Sequence, residues 1–302
     1  MKTFLLLLIS ICLASANDGL EIPYYTDTSA IVHHAGFTLE YAEKFEQAKW
    51  VAYMLTKKRA SVSITRKDNF RADPLVATGS AQLDDYKNSG YDRGHLFPAA
   101  DAWDSNSMND CFYLSNMSPQ IHAFNAGIWE KLETQVRDWA YKLDTLYIAT
   151  AGILKDGLPT IGTDSVAVPE YFYKVILCKN GSDISGIGFI LQSVNSSQPL
   201  KSFAVTIDSV EKITGIDFFP QLADSIESVV ESRIDTAKWF SASKIIHKKA
   251  SPKFKKTDYS NSGIQYYDFN GRETKIAPVH RKIKLVIEEN KEQSNIRLLP
   301  KE

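Results

Sequence analysis

Between Arg66 and Arg137 the chain collects side chains suited to acting on a charged ester. Asp92-Arg93-Gly94-His95 sets an arginine and a histidine either side of a glycine. Asn116 and Pro119-Gln120 follow, then Asn125, Glu133 and Arg137. A histidine titrates near neutral pH and can take a proton from water. Carboxamide and carboxylate oxygens suit a hard divalent cation such as Mg²⁺, which keeps several waters. Arginines clamp phosphate oxygens in bidentate fashion. Together these meet the needs of phosphodiester hydrolysis: a base for the attacking water and positive charge for oxygens that gain negative charge.

These residues must be positioned by elements the sequence also announces. Phe124–Leu143 carries Ile128, Trp129, Leu132, Val136, Trp139 and Leu143 at three- and four-residue spacing, which predicts one amphipathic helix with both tryptophans in the core. Asn125 and Glu133 lie 133 − 125 = 8 residues apart, so on a continuous helix they project to a similar side. Phe37–Tyr41, Trp50–Thr56, Cys111–Leu114, Leu146–Thr150, Tyr171–Leu177, Ile187–Leu191 and Phe203–Ile207 read as strands bounded by turn-forming residues. Arg66–Tyr91, rich in Asp, Gly, Ser and Asn, reads as a long loop of the kind that carries function. Asp208 is expected to cap a short helix ending at Gly215, with Glu211 as its capping-box partner, and a further helix is expected over Asp224–Ile234.

Three blocks, Ser89–Asp101 (SGYDRGHLFPAAD), Phe112–Gln120 (FYLSNMSPQ) and Phe124–Glu133 (FNAGIWEKLE), resemble the DNA/RNA non-specific endonucleases. These are the ββα-metal, or His-Me finger, nucleases, which include secreted sugar-non-specific enzymes and mitochondrial endonuclease G. Weaker similarity at Trp50–Thr56 and Ala204–Leu222 extends the resemblance over roughly Phe37 to Ile234. The resemblance implies an α+β fold, a mostly antiparallel sheet flanked by helices with a ββα-metal motif. It implies His95 as general base, Asn125 as the direct ligand of Mg²⁺ (with Mn²⁺ able to substitute), and Glu133 as a residue that orients metal-bound water. Asn116 would hold the site's geometry, Arg93 would sit beside the phosphate, and Arg137 would support Glu133 and the transition-state charge. Arg66 would fill the place of an upstream catalytic arginine, with Lys67 and Arg71 as alternatives because the local spacing differs. Phe97, where many members carry a small residue, would narrow the groove. Relatives are commonly dimers.

The ends of the chain add an address. Lys2, the apolar run Phe4–Leu13 and Ala14-Ser15-Ala16 form a signal peptide over 1–16, too short to span a bilayer. The expectation is a domain over 17–246 that is secreted, or held in the lumen of a secretory or lysosome-like compartment, with no membrane contact after processing. Beyond it, 247–302 begins with a basic run (His247–Lys256) and shows little core-forming pattern, which suggests a weakly structured extension. Cys111 and Cys178 remain after Cys12 leaves; a disulfide and two buried thiols are both open, and a structural zinc site is excluded. Asn180 and Asn195 head glycosylation sequons; Asn116 heads another but would stay unmodified within the site.

The net charge of −1 provides no global attraction for nucleic acid, so basic residues must gather locally on the DNA or RNA phosphate backbone. A secreted nucleic-acid-binding protein that has lost catalysis is the competing reading. No Gly-x-Ser-x-Gly elbow, phosphate-binding glycine loop or His-Glu-x-x-His motif supports another hydrolase chemistry.

Overall fold

The structure, a computed structural model, describes residues 19–241 and, as backbone, four strands within 265–299. The signal segment and the basic run His247–Lys256 lie outside the described residues. The chain divides into two units, 1–245 and 246–302.

In the first unit the strands are β1 (Ile31–His33), β2 (Thr38–Ala42), β3 (Gln47–Thr56), β4 (Asp92–His95), β5 (Met117–Gln120), β6 (Thr145–Gly152), β7 (Thr160–Ile161), β8 (Val166–Ala167), β9 (Tyr171–Asn180), β10 (Asp183–Gln192) and β11 (Ala204–Val205). The helices are α1 (Lys57–Ala60), α2 (Leu83–Tyr86), α3 (Ser105–Asp110), α4 (Glu130–Leu143), α5 (Ile207–Thr214), α6 (Asp224–Glu231) and α7 (Thr236–Phe240). Seven strands form one antiparallel sheet in the order β1-β2-β3-β6-β9-β10-β11, so the fold is α+β as expected.

The central strands are buried at nearly every position, which requires cover on both faces. Alternation along β10 shows what supplies it. A methyl on Gly186 would lie 2.5 Å from Ile207 and one on Gly188 would lie 2.8 Å from Val210, so that face meets α5. Phe189 points the other way and stacks on Trp139 of α4, with ring centroids 5.9 Å apart. Trp129 and Trp139 are both core residues, as their spacing predicts.

Three local expectations change. Cys111–Leu114 is not a strand: Leu114–Asn116 makes a 3₁₀ turn and the pairing strand begins at Met117. Phe124–Leu143 is not one helix: Phe124–Trp129 forms a wide π-type turn broken at Gly127 (φ −114°, ψ −111°), and α4 proper starts at Glu130. The Thr206 hydroxyl, not Asp208, caps α5 by accepting from the Ser209 amide, since a cap must precede the first helical residue. Gly215, at φ 68°, ends that helix in the left-handed conformation glycine tolerates.

The second unit contributes an antiparallel sheet of β12 (Gln265–Tyr267), β13 (Glu273–Thr274), β14 (Lys284–Asn290) and β15 (Gln293–Leu299), in the order β13-β12-β14-β15. The Leu-, Val- and Ile-bearing runs 284–290 and 293–299, separated by two residues, suit a hairpin.

The β4–β5 hairpin stands apart from the large sheet, pairing Asp92 with Gln120 and His95 with Met117. Gly94 has no room for a side chain, because a methyl there would sit 2.3 Å from the side chain of fully buried Gln120. Gly94→Ala should destabilise the protein by about 1–3 kcal/mol in urea unfolding. Adding Gln120→Ala should recover most of that loss; an equally unstable double variant would contradict the packing argument.

Candidate active site

The hairpin, the long loop and the π-type turn meet at one cleft. The loop is pinned first. Main-chain bonds from Arg71 to Phe112 (3.3 Å) and from Leu114 to Arg71 (2.9 Å) hold it beside the segment preceding β5. Asp73 adds a buried anchor, accepting from the Ser115 hydroxyl and pairing with His34 Nε2 at 2.8 Å. His34, without a partner at useful sequence spacing, thus has a structural one. This anchoring sets Phe70 edge-on against Phe112, with centroids 4.9 Å apart.

His95 packs into that aromatic corner, its ring 5.1 Å from Phe112 and 5.7 Å from Phe70. The cations stand on the same rings: Arg66 lies 4.9 Å above Phe112, and Arg93 lies 4.3 Å above Phe70. Burial, then the charges of Arg66 and Arg93, push the His95 pKa down to about 3, so the imidazole is neutral at physiological pH. Its Nε2 is buried and has no hydrogen-bond partner among the described residues.

A cleft of about 490 Å³ is lined by Arg66, Phe70, Asp92, Arg93 and Asn125 among others. His95 and Glu133 are not among its lining residues, and His95 adjoins it through Phe70. The Asp92 carboxylate orients its far wall, accepting from Asn125 Nδ2 at 2.9 Å and meeting His122 Nδ1 at 2.9 Å. Asp92 and His122 were not singled out for roles from sequence, although Asp92 stands in the Asp-Arg-Gly-His block. Of the three candidates for the upstream cation, only Arg66 lines the cleft, where it donates to Asp68 Oδ1 at 2.6 Å. Arg71 is engaged with the carbonyls of Asn69 and Asn109, and Lys67 with the Asn109 side chain.

Asn116 lies behind the cleft. Fully buried, it accepts from the Phe97 amide (2.8 Å) and donates to the carbonyls of Phe97 (3.0 Å) and Cys111 (2.8 Å). Phe97 does not narrow the groove. It is fully buried, stacked on Phe37 and edge-on to Tyr53, and fills the space left by Gly36.

Beneath α4 lies a charge cluster the sequence does not announce. Arg137 donates to Asp101 Oδ1 at 3.0 Å and to the Thr134 hydroxyl at 3.0 Å, so it pairs with Asp101. Tyr53 donates to the other Asp101 oxygen at 3.2 Å. Lys174, fully buried on β9, sits 4.9 Å over the Trp129 ring with no hydrogen-bond partner among the described residues. Burial raises the pKa of Glu133, against the pull of Lys174 and Arg137, and lowers that of Lys174, against the pull of Glu133 and Asp101. Two carboxylates and two cations thus balance around Glu133.

The profile of the DNA/RNA non-specific endonuclease family matches residues 16–225. A nuclease of Syncephalastrum racemosum is 32% identical over 233 residues, covering 69% of this chain and 73% of the relative. The mitochondrial nuclease EXOG of Danio rerio is 34% identical, covering 68% of this chain and 62% of the relative, so the match spans less than two thirds of that protein. Among solved structures, a chain of the EndoG/EndoGI complex superposes with a TM-score of 0.61 at 28% identity, covering 66% of this chain and 89% of that one. A family match over more than half the sequence and a shared fold agree, and the chain belongs to the DNA/RNA non-specific endonucleases.

Proposed function

We propose that the protein is a secreted, Mg²⁺-dependent endonuclease that hydrolyses phosphodiester bonds in DNA and RNA with little sequence preference. The observation that carries this reading is a cleft lined by Arg66, Arg93 and Asn125, with neutral His95 packed against Phe70, which also lines it.

The donor set fits a hard cation. Asn125 commits Nδ2 to Asp92, which leaves its carbonyl oxygen for metal, and Glu133 supplies a carboxylate on the helix that follows. Asn125 would hold the ion directly and Glu133 through water, an arrangement suited to Mg²⁺, with Mn²⁺ as a substitute. When bound, the ion neutralises charge on the phosphate oxygens. His95 takes the proton of the attacking water, a task for which a neutral imidazole is required. Arg66 and Arg93 bind the phosphate, held by their aromatic supports. Asn116 positions the backbone after His95, and Arg137 with Lys174 opposes the rise that burial imposes on the Glu133 carboxyl. Contacts to phosphate read no base edge, which supports broad substrate use and a steep loss of affinity with salt.

Secretion rests on the segment 1–16, and Asn180 and Asn195 are exposed as glycan acceptors should be. No described helix is long and apolar enough to cross a membrane.

Supercoiled plasmid and RNA incubated with the purified protein should be cut with Mg²⁺ and left intact with EDTA. His95→Ala should slow cutting by about 10²–10⁴-fold. Binding without cleavage under every condition would favour the impaired nucleic-acid-binding protein instead.

The depressed His95 pKa also sets the pH profile. The base form persists as pH falls through the ordinary histidine value of 6.5, and the native ring gains its proton only near 3. His95 should therefore contribute no acid limb near pH 6.5 to kcat/KM at saturating Mg²⁺. A limb near 7 belongs to Glu133, whose carboxyl burial pushes up to about 7, and should move in Glu133→Asp. A limb centred at 6.5 that disappears in no other variant but His95→Ala would contradict the burial described.

A further inference from the structure

On the sheet face opposite α4, α5 and α6 pack against each other and against β10. They turn acidic edges toward one another. Asp208 and Glu211, three residues apart on α5, share a face; Glu227 and Glu231, four apart on α6, share another. Like charges at these spacings repel, so each helix is destabilised by its own pair. One carboxylate oxygen from each of Asp208, Glu211 and Glu231 lies within 4.8 Å of the others. None of the four carboxylates is paired with a Lys, Arg or His among the described residues.

Glu231 makes the arrangement more than a surface acidic patch. It is 5% exposed, yet its Oε1 is buried with no hydrogen-bond partner among the described residues, and the same holds for Glu227 Oε1. A buried carboxylate with neither counter-ion nor donor costs several kcal/mol in general and is expected to be neutralised. Glu211 is only partly committed, accepting from the Phe218 amide at 2.8 Å.

We propose that Asp208, Glu211 and Glu231 bind a Ca²⁺ ion that ties α5 to α6, at a site separate from the catalytic cleft. Ca²⁺ takes oxygen ligands at about 2.3–2.6 Å, so two oxygens across one ion lie about 4.6–5.2 Å apart. The observed spacing accommodates this without moving either helix. Three carboxylates and water complete the six to eight oxygens Ca²⁺ prefers, and Glu227 stands one helical turn from Glu231 as a further donor. The ion would replace repulsion between the helices by attraction to a shared centre, and its role is structural.

The test uses the full-length mature chain carrying Asn125→Ala, which removes the candidate ligand of the cleft, stripped with EDTA and dialysed into metal-free buffer. Calorimetric titration with CaCl₂ should show one ion bound per chain. Thermal unfolding should shift upward by about 5–10 °C when Ca²⁺ exceeds its Kd a hundredfold. Glu231→Gln should abolish both effects while keeping metal-free stability at or above its parent's, because a repelling charge is gone. Asp208→Asn, at an exposed position, serves as a second variant should Glu231→Gln fold poorly, and should weaken Ca²⁺ binding at least tenfold. In the Asn125-containing protein, Glu231→Gln should leave Mg²⁺-dependent plasmid nicking in place, which separates this site from the cleft. Absence of Ca²⁺ binding, or binding undiminished in both Glu231→Gln and Asp208→Asn, would overturn the proposal.

Discussion

A buried carboxamide whose hydrogen-bonding groups are engaged fixes the backbone around it, because each bond broken leaves a polar group stranded away from water. Asn116 imposes that constraint on the cleft. Its side chain bridges Phe97, just after β4, to Cys111, just after α3, and its own carbonyl accepts from the Leu96 amide at 3.0 Å. The strand bearing His95 and the segment bearing Phe112 are thereby joined behind the site. The aromatic corner that holds the imidazole follows from that junction, and the arginines rest on the same rings. A residue with no access to solvent thus governs the arrangement of those that have it.

Electrostatics takes over where packing ends. Glu133 faces the low-dielectric interior under α4, where an isolated carboxylate would hold its proton. Lys174 and Arg137 oppose that tendency, and Asp101 keeps the cations from outnumbering the anions. The set resembles a small ionic crystal closed by Tyr53 and Trp129. Removing a single member would leave a buried charge unmatched, a costlier change than replacing the whole group by apolar residues.

Much of this was legible in one dimension, for identifiable reasons. His95, Asn116, Asn125 and Glu133 stand in contiguous blocks, so residue type and order were enough to propose a site around them. The long loop was evident from its composition, and the sheet from its apolar runs. Lys174 was not, because it sits inside Tyr171–Leu177, and period-2 reading of an apolar strand does not distinguish a buried lysine from an edge one. Asp101 lay in a recognisable block but needed Arg137 and Tyr53, both distant in sequence, to acquire meaning. Phe97 was judged against relatives when its partners, Gly36 and Phe37, compensate for its bulk from another strand connection. Cys111 and Cys178 were open between two states, and the structure holds both as buried, unpaired thiols.

The break at Gly127 has a further meaning for how Asn125 came to its place. The main-chain carbonyl of Asn125 accepts from the amide of Glu130, five residues on, where an unbroken α-helix would use the fourth. Such a turn carries one residue more than a regular helix of the same height. Deleting that surplus would close the turn into ordinary helix and swing Asn125 about 100° around the axis relative to α4. Its amide would then point away from Asp92, so the local phase of the polypeptide, as much as the identity of the side chain, decides which way the carboxamide faces.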